Sequence, residues 1–281
     1  QNAMVPGGSH SDSSLAESSL AQPALVWDEE RLAEVHTQAD KARRVQRMFD
    51  AIAPTYERIN TLFSGGRDRH WRRATVRAAD VRPGDAVLDI ACGTGDLLRA
   101  FQRFAPQSGH LVGLDFAHEM LRRAAERSRS GQAWCEADGQ RLPFADASFN
   151  VTSCAFGVRN FQDLDRGLAE MYRVLRPGGR AMILEFSRPA NRLIRGVHEF
   201  YTGRIMPWGA ALIARDRSGA YRYLPRSVVS FLDADQMDAR LRSAGFATTT
   251  ARPLTFGVVT LYRADKSAGS AADHQEPGNS A

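Results

Sequence analysis

An acidic residue and a glycine-rich turn follow a short apolar run, an order typical of a ligand-binding loop between a strand and a helix. The run Ala86–Ile90 contains Asp89 and leads into Ala-Cys-Gly-Thr-Gly, which gives the pattern D-x-A-x-G-T-G ending at Gly95. Glycines let a ligand approach the backbone, and the N–H groups at the start of the next helix are free to bind it. Asp115 ends a second apolar run twenty residues after Gly95, where a carboxylate is suited to accept both hydroxyl groups of a ribose. The spacing predicts a nucleotide-type ligand site.

The same loop lacks the features of two common phosphate-binding motifs. The dinucleotide fingerprint G-x-G-x-x-G requires a third glycine where this chain has Leu98, and no Lys-Ser/Thr pair follows the loop. Binding of a pyrophosphate is therefore disfavoured. Two alternatives remain open from the loop alone: another kind of doubly wound protein, and a turn that binds nothing.

Strand and helix patterns alternate along the chain. Short apolar or alternating runs predict strands at Ala86–Ile90, Leu111–Asp115, Trp134–Asp138, Val151–Ala155, Ala181–Leu184, Ala247–Arg252 and Thr255–Arg263. Amphipathic segments predict helices at Trp27–Ala53, Trp71–Ala79, Glu119–Arg129, Leu164–Leu175 and Asp235–Ala244. This order predicts an α/β fold, a doubly wound parallel sheet with helices on both faces. Residues 55–66 suit either a mobile segment over a pocket or a helix-loop-helix packed on the core.

Length and composition indicate one domain with two tails. Residues 27–263 form the predicted domain, with an insertion at 188–232, while 1–26 and 264–281 are expected to be disordered tails. Residues 1–3, ahead of Met4, are interpreted as residues added for expression of the protein. The net charge is +5 without a basic block, which favours a solvated surface over a nucleic-acid site.

The cysteines and the apolar runs indicate the cellular compartment in which the protein is expected. Cys92, Cys135 and Cys154 are far apart, so they predict neither a disulfide nor a metal site and suit a reducing environment. No apolar run is long enough to span a membrane, and no secretory signal pattern is visible. The expected location is the cytoplasm.

Four longer motifs are more restrictive than the glycine loop. They are Phe156–Asn160 (FGVRN), Tyr172–Gly179 (YRVLRPGG), Leu184–Ser187 (LEFS) and Tyr221–Ser227 (YRYLPRS). With these motifs in this order, residues 45–263 resemble the quinone-biosynthesis C-methyltransferases, the family of demethylmenaquinone and polyprenyl-benzoquinol methylases. The segment from Phe200 to Pro207 is similar to the menaquinone branch of that family.

The resemblance implies the class I methyltransferase fold, with a mostly parallel seven-stranded sheet, and S-adenosyl-L-methionine as cofactor. It implies cofactor contacts at Asp89, Ala91, Gly93, Thr94, Gly95, Asp115, Phe116, Met120, Asp138, Gly139 and Ala155. Two of these positions depart from the family pattern. Some members have serine where this chain has Ala155, so that one hydroxyl contact to the cofactor is absent here, and many members have glycine where this chain has Ala91. A β-branched residue at Gly93 or Gly95 is expected to abolish cofactor binding, because its side chain would enter the cofactor's space or strain the turn.

Methyl transfer to carbon needs a nucleophilic carbon held in line with the donor sulfur and its methyl group. A quinol carbon becomes nucleophilic when the neighbouring hydroxyl loses its proton, so the site needs a base or a cation that favours the phenolate. Arg159, after the fourth predicted strand, is the leading candidate because its guanidinium is always charged. The alternative is an arginine that pairs with a carboxylate for structure. Asn160, Tyr201, Asp216 and Tyr221 are secondary candidates, each of which also suits packing or loop capping.

The activity that the resemblance implies is C-methylation of a demethylmenaquinol, the last step of menaquinone biosynthesis. The alternatives are C-methylation of a polyprenyl-benzoquinol in ubiquinone biosynthesis and a small-molecule O- or N-methyltransferase. A non-catalytic module that binds S-adenosylmethionine or RNA is the alternative from another class. The expected partner is the prenylated quinol, with no nucleic acid, and a homo-oligomer is left open.

An uncharged run within the insertion suggests how such a protein meets a substrate held in a bilayer. Ile205–Ala214 is too short to span a membrane and is flanked by Arg204, Arg215 and Arg217. This composition suits the headgroup layer of an anionic membrane. We expect the insertion to form a wall of the quinol pocket and a transient contact with the inner face of the membrane. A buried core helix and a subunit contact are the alternatives.

Overall fold

The computed structural model describes Trp27, Leu32 and residues 39–205 and 220–269. Within these residues, seven strands form a single sheet. The strands are β1 Val87–Ile90, β2 Leu111–Asp115, β3 Gln132–Glu136, β4 Phe149–Ala155, β5 Leu175–Phe186, β6 Thr248–Leu254 and β7 Val259–Asp265.

The strand order across the sheet is β3-β2-β1-β4-β5-β7-β6. Strands β1 to β5 pair in parallel, and β7 pairs antiparallel with both β5 and β6. The predicted α/β fold, doubly wound with a mostly parallel seven-stranded sheet, is confirmed. The strand order reverses between β1 and β4, and ligands of open parallel sheets bind in the crevice at the carboxyl ends of such strands.

The helices lie between these strands and before the first of them. They are α1 Lys41–Ile52, α2 Tyr56–Phe63, α3 Arg67–Ala79, α4 Asp96–Phe104, α5 His118–Glu126, α6 Leu164–Val174, α7 Arg192–Phe200, α8 Ala220–Val229 and α9 Ala234–Ser243. Shorter turns are the 3₁₀ turns Val158–Asn160 and Thr255–Gly257 and the π turn Tyr201–Ile205. The segment 55–66, which the sequence leaves open, therefore contains a helix. In the described part of the chain, no helix has both the length and the apolar character needed to cross a bilayer.

Strand β5 begins earlier than its predicted start at Ala181. Leu175 pairs with Phe149, and the pairing resumes at Arg180 opposite Val151, so the residues between them bulge out of the strand. Gly178 takes a φ of +74° within this bulge, a backbone conformation that glycine adopts without strain. The residues between the predicted helix, which ends at Leu175, and the predicted strand, which begins at Ala181, are thus part of an irregular strand.

Strand β7 is displaced from its predicted range at both ends. It begins at Val259, because Thr255–Gly257 fold into a turn instead of extending. It continues through Ala264 and Asp265, which the sequence analysis assigns to the tail, and Asp265 pairs with Arg180 of β5.

Alternate residues of β1 pack on opposite faces of the sheet. Val87 contributes to a buried cluster with Trp71 of α3 and Phe101 of α4, whereas Leu88 lies in the cluster that contains Leu168 of α6. Both faces of the central strand are therefore covered, as expected for parallel strands between two helix layers. Polar groups that bind a ligand must then lie at the strand ends.

The carboxyl ends of β1, β2, β4 and β5 meet at one edge of the sheet, because these strands are parallel neighbours. Strand β7 runs the other way, and Val259 at its start pairs with Phe186 at the end of β5. The connection between β6 and β7 therefore lies at the same edge. Helix α7 follows β5 closely, so the insertion also starts there.

Candidate active site

The glycine loop, which joins β1 to α4 from Ala91 to Gly95, contains three residues with positive φ. Ala91, Gly93 and Gly95 have φ values of 53°, 56° and 81°, which glycine tolerates and alanine does not without strain. A Cβ atom on Gly95 would lie 2.5 Å from Cη2 of Trp134, whereas a Cβ on Gly93 would meet only Cε1 of Tyr56, at 4.0 Å. Gly95 is therefore needed for packing against β3, and Gly93 faces open space.

A cavity opens beside the glycine loop, and we name it the loop cavity. The space within it, with the open mouth included, is about 610 Å³. Most of the predicted cofactor-binding residues line it, namely Ala91, Gly93, Asp115, Phe116, Met120, Asp138, Gly139 and Ala155. The structure thus brings together residues from the ends of β1, β2, β3 and β4.

Three predicted cofactor-binding residues, Asp89, Thr94 and Gly95, do not line the loop cavity. The Asp89 side chain lies within the sheet, where its Oδ1 accepts a hydrogen bond of 2.7 Å from the hydroxyl of Ser153. Thr94 is buried, and a Cβ atom at Gly95 would point at the ring of Trp134. Contact of these three residues with the cofactor stays a prediction, because spacing along a loop does not tell which positions turn inward.

Asp115 occupies the position predicted for a ribose-binding carboxylate. Its Oδ2 accepts the Gly93 N–H at 2.8 Å, and its Oδ1 accepts the Ala117 N–H at 2.9 Å. Burial raises the pKa of Asp115 to about 6, although these backbone donors oppose the rise. Each carboxylate oxygen keeps a lone pair for a further donor, so Asp115 joins the glycine loop to α5 and can still accept two hydroxyl groups.

The buried Asp89 makes folding stability depend on pH. Burial raises the pKa of Asp89 from 3.8 to about 7. The protonated side chain therefore stabilises the folded state: this stabilisation is fully present below pH 3.8 and is lost as the pH rises through 7. We expect Asp89 to reduce the free energy of unfolding by about 1 kcal/mol between roughly pH 6 and pH 8. Denaturant titrations at both pH values should show a smaller decrease for Asp89→Asn.

Asp235→Asn, at an exposed position in α9, is the control and should retain the parental pH dependence. The raised pKa of Asp115 contributes a similar decrease at somewhat lower pH and is present in all three proteins. An unchanged pH dependence in Asp89→Asn would contradict the prediction.

A second and larger cavity, the apolar cavity, adjoins the loop cavity. It encloses about 1390 Å³, including its open mouth. Its walls are mainly apolar or aromatic, including Met48, Ile52, Trp71, Phe186, Tyr223, Leu224 and Val228. Phe49, Tyr56 and Phe156 line both cavities. Two ligands, one in each cavity, would therefore come together beside these three aromatic side chains.

Phe156 is held at this junction in a strained conformation. Its φ is 59°, which is rare and costly for a bulky residue and is found most often at functional sites. Its ring packs against Phe186, with 4.5 Å between ring centroids, and against Trp71, at 5.9 Å. These contacts fix the Phe156 side chain at the junction of the two cavities.

Arg159 lies in the wall of the apolar cavity, on the turn that follows β4. Its Nη1 donates to Oε1 of Glu185 at 2.6 Å and also to the carbonyl of Phe156, and both charged side chains are buried. The Nε atom is buried without a hydrogen-bond partner among the described residues. Burial raises the pKa of Glu185, and the positive charge of Arg159 opposes this rise. The arginine thus has the ion pair of the structural alternative and also a buried donor that no described residue accepts.

The main chain around Arg159 is held by Lys41 of α1. Lys41 Nζ donates to the carbonyls of Arg159 at 3.0 Å and of Phe161 at 2.6 Å. Burial lowers the pKa of Lys41 to about 8. A buried ammonium therefore fixes the turn Val158–Asn160 from the side of α1.

The secondary catalytic candidates are placed differently from one another. Asn160 lines the loop cavity, and its Oδ1 accepts the hydroxyl of Tyr223 at 2.9 Å. Tyr201 lines the apolar cavity, and burial raises its pKa. Tyr221 lies in α8, but its side chain is not described, and Asp216 lies outside the described residues. Arg215, Arg217 and most of the uncharged run Ile205–Ala214 also lie outside them.

Three residues of this region were not among the candidates from the sequence: Tyr56 and Tyr223, which line the apolar cavity, and Glu185, which forms a buried ion pair with Arg159. Each belongs to a segment that was singled out, since Tyr56 lies in 55–66, Glu185 in the LEFS motif and Tyr223 in the YRYLPRS motif. A carboxylate at the end of the strand next to Arg159 was the available signal for Glu185.

The comparisons with known proteins agree with this geometry. The model of the ubiE/COQ5 methyltransferase family matches residues 36–266. The chain is 43% identical over 230 residues to a protein of Deinococcus radiodurans named demethylmenaquinone methyltransferase, covering 81% of this chain and 94% of the relative. It is 41% identical over 232 residues to the ubiquinone/menaquinone biosynthesis C-methyltransferase UbiE of Geobacter sulfurreducens, covering 81% and 90%.

Among solved structures, the chain is similar to a protein of Thermotoga maritima described as an SAM-dependent methyltransferase, possible histamine N-methyltransferase. The TM-score is 0.55 at 18% identity, and the match covers 78% of this chain and 98% of that one. At this identity the likeness concerns the fold alone.

Proposed function

This chain belongs to the ubiE/COQ5 methyltransferase family, and on that premise we propose that it methylates a ring carbon of a demethylmenaquinol with S-adenosylmethionine. The observation that carries the proposal is the junction of the two cavities at Phe49, Tyr56 and Phe156. Methyl transfer requires donor and acceptor to be held in contact and in line, and the adjoining position of the two cavities supports such an arrangement.

The residues of the loop cavity fit S-adenosylmethionine. When bound, this cofactor supplies an electrophilic methyl group on a positively charged sulfur. Asp115 would hold the ribose, because its two oxygens retain acceptor capacity beside their bonds to Gly93 and Ala117. The absence of a side chain at Gly93 leaves open space beside the loop, so the backbone can approach the cofactor.

The apolar cavity suits a prenylated naphthoquinol. Aromatic and aliphatic walls bury a ring and the adjacent part of a prenyl chain, and apolar burial favours binding in proportion to the area covered. Arg159 brings a buried cation to this mainly apolar wall, where low dielectric strengthens its attraction to a developing phenolate. Loss of the hydroxyl proton to solvent makes the neighbouring ring carbon nucleophilic. Glu185 and the carbonyl of Phe156 fix the guanidinium for this task.

The experiment that tests the proposal uses methyl-labelled S-adenosylmethionine and short-chain acceptors. Purified protein is incubated with a demethylated naphthoquinol and, in parallel, with the corresponding benzoquinol, and the products are identified by mass spectrometry. We expect a C-methylated naphthoquinol to form faster than the benzoquinol product. Faster benzoquinol methylation would favour the ubiquinone alternative, and an O- or N-methyl product, or none, would reject C-methylation.

The structure revises the expected effect of substitutions in the glycine loop. Gly93→Ala should lower the affinity for S-adenosylmethionine at least tenfold with a stability loss of about 1 kcal/mol, because its Cβ faces the open cavity at positive φ. Gly95→Ala should destabilise the fold by about 3 kcal/mol or more, because its Cβ would overlap Trp134. Calorimetric titration and denaturant unfolding measure the two effects. If Gly93→Ala binds S-adenosylmethionine with unaltered affinity, this loop is not part of the cofactor site.

A further inference from the structure

Helix α7 carries an apolar face that nothing in the described part of the chain covers. Leu193, Val197 and Phe200 have exposed fractions of 78%, 65% and 58%. Their spacings of four and three residues place them on one face of the helix. Large apolar side chains grouped in this way are uncommon on a protein surface and mark an interaction site.

The turn between β6 and β7 presents a further exposed aromatic side chain. Phe256 is 76% exposed, and both it and Thr255 have positive φ, 57° and 46°. A bulky residue in this conformation is unfavourable, so the turn is held by tertiary contacts. Trp71 Nε1 donates to Thr255 Oγ1 at 2.7 Å, and Ser187 Oγ donates to the carbonyl of Gly257 at 2.9 Å.

Both features adjoin the apolar cavity, and their segments approach each other at one point. The ideal Cβ position of Gly257 is 3.5 Å from Cα of Pro189, shortly before α7 begins. Val258, next in the chain, lines the apolar cavity, as do Glu199 and Tyr201 at the other end of α7. We name the group formed by Leu193, Val197, Phe200 and Phe256 the rim surface.

The segment that carries most of the rim surface is positively charged. Residues 188–205 contain four arginines and a single carboxylate, Glu199, which forms an ion pair with Arg188 at 2.9 Å. Arg192 and Arg204 are exposed at the two ends of this segment. An apolar patch with a basic border is complementary to the surface of an anionic bilayer, which offers a hydrocarbon interior below negative headgroups.

We propose that the rim surface docks on an anionic phospholipid bilayer, so that the apolar cavity opens toward the membrane. Phe256 and the side chains of α7 enter the headgroup layer, while Arg192 and Arg204 contact lipid phosphates. The prenyl chain of the acceptor then passes from the bilayer into the cavity without crossing water. The membrane contact follows from the exposed residues, and only the identity of the lipid substrate rests on the proposed function.

Vesicle sedimentation with the full chain tests the proposal. The variant Leu193→Ser/Val197→Ser/Phe256→Asn removes the apolar contacts, with asparagine chosen because it tolerates positive φ. We expect the parent to bind phosphatidylglycerol vesicles and not pure phosphatidylcholine vesicles, and the triple variant to bind at least tenfold more weakly. The matched control is Phe104→Ser, an exposed aromatic side chain at the carboxyl end of α4, which should bind as the parent does. Arg192→Glu/Arg204→Glu should weaken binding and reduce its dependence on salt.

Turnover separates the membrane contact from the chemistry. The triple variant should methylate a water-soluble short-chain naphthoquinol within twofold of the parent, and a long-chain quinol embedded in vesicles at least tenfold more slowly. Vesicle binding of the triple variant equal to that of Phe104→Ser overturns the proposal. The proposal is also overturned if the parent protein binds no vesicles and is a dimer whereas the triple variant is a monomer, because the rim surface is then a subunit contact. If no quinol is methylated while vesicle binding behaves as expected, the proposed function fails and the docking surface stands.

Discussion

Arg159→Lys is expected to lower the turnover of naphthoquinol at least 100-fold while leaving the affinity for S-adenosylmethionine within twofold of the parent. Removing one fixed donor to a developing oxyanion typically costs about 10²–10³ in turnover. The Arg159 guanidinium donates to Glu185 and Phe156 and still has Nε available, whereas a lysine ammonium is a single point charge without this planar fork. Arg159 lines the apolar cavity and not the loop cavity, so cofactor binding should persist.

Steady-state kinetics and calorimetric titration of the same preparations check this separation of binding from chemistry. Arg173→Lys is a suitable control, because Arg173 forms ion pairs with Glu170 and Asp146 but lines neither cavity. It should retain the parental turnover. If Arg159→Lys and Arg159→Met both turn over the quinol at the parental rate, Arg159 serves only the fold.

Glu185→Leu is expected to lower the free energy of unfolding by about 3–5 kcal/mol, because it leaves the buried charge of Arg159 without its partner. Both side chains of this pair are almost fully buried, at 5% and 1% exposure. The double variant Arg159→Met/Glu185→Leu should recover most of this loss, since an apolar pair of similar volume avoids the cost of burying two charges. It should nevertheless show no measurable turnover.

Denaturant unfolding of the two single variants and the double variant gives the coupling energy between the two side chains. The control is Asp165→Leu, which breaks the exposed ion pair of Asp165 with Arg240 and should change stability by no more than about 1 kcal/mol. A double variant as unstable as Glu185→Leu would show that the loss comes from the packing of residue 185 and not from an unpaired charge.

Much of the fold was predictable because its signals are local. The apolar run before Asp89, the turn at residues 91–95 and the run that ends at Asp115 are short patterns whose periodicity does not depend on distant residues. Parallel strands bring their carboxyl ends to one edge, so most of the residues that line the loop cavity could be selected from their positions at strand ends. Strand bounds were less accurate where pairing decides them, as at Leu175 and Asp265.

The sequence by itself determined the class of fold, the edge of the sheet at which the loop cavity lies and the family to which the chain is similar. The tertiary structure alone decided which glycine faces the loop cavity and which packs on Trp134. It also decided that Arg159 meets Glu185, twenty-six residues later in the chain, and that Tyr223 reaches Asn160 across sixty-three. The physical reason is that a residue pattern fixes the period of one element, whereas side-chain contacts depend on the register and rotation of two elements, which are set when the whole core packs.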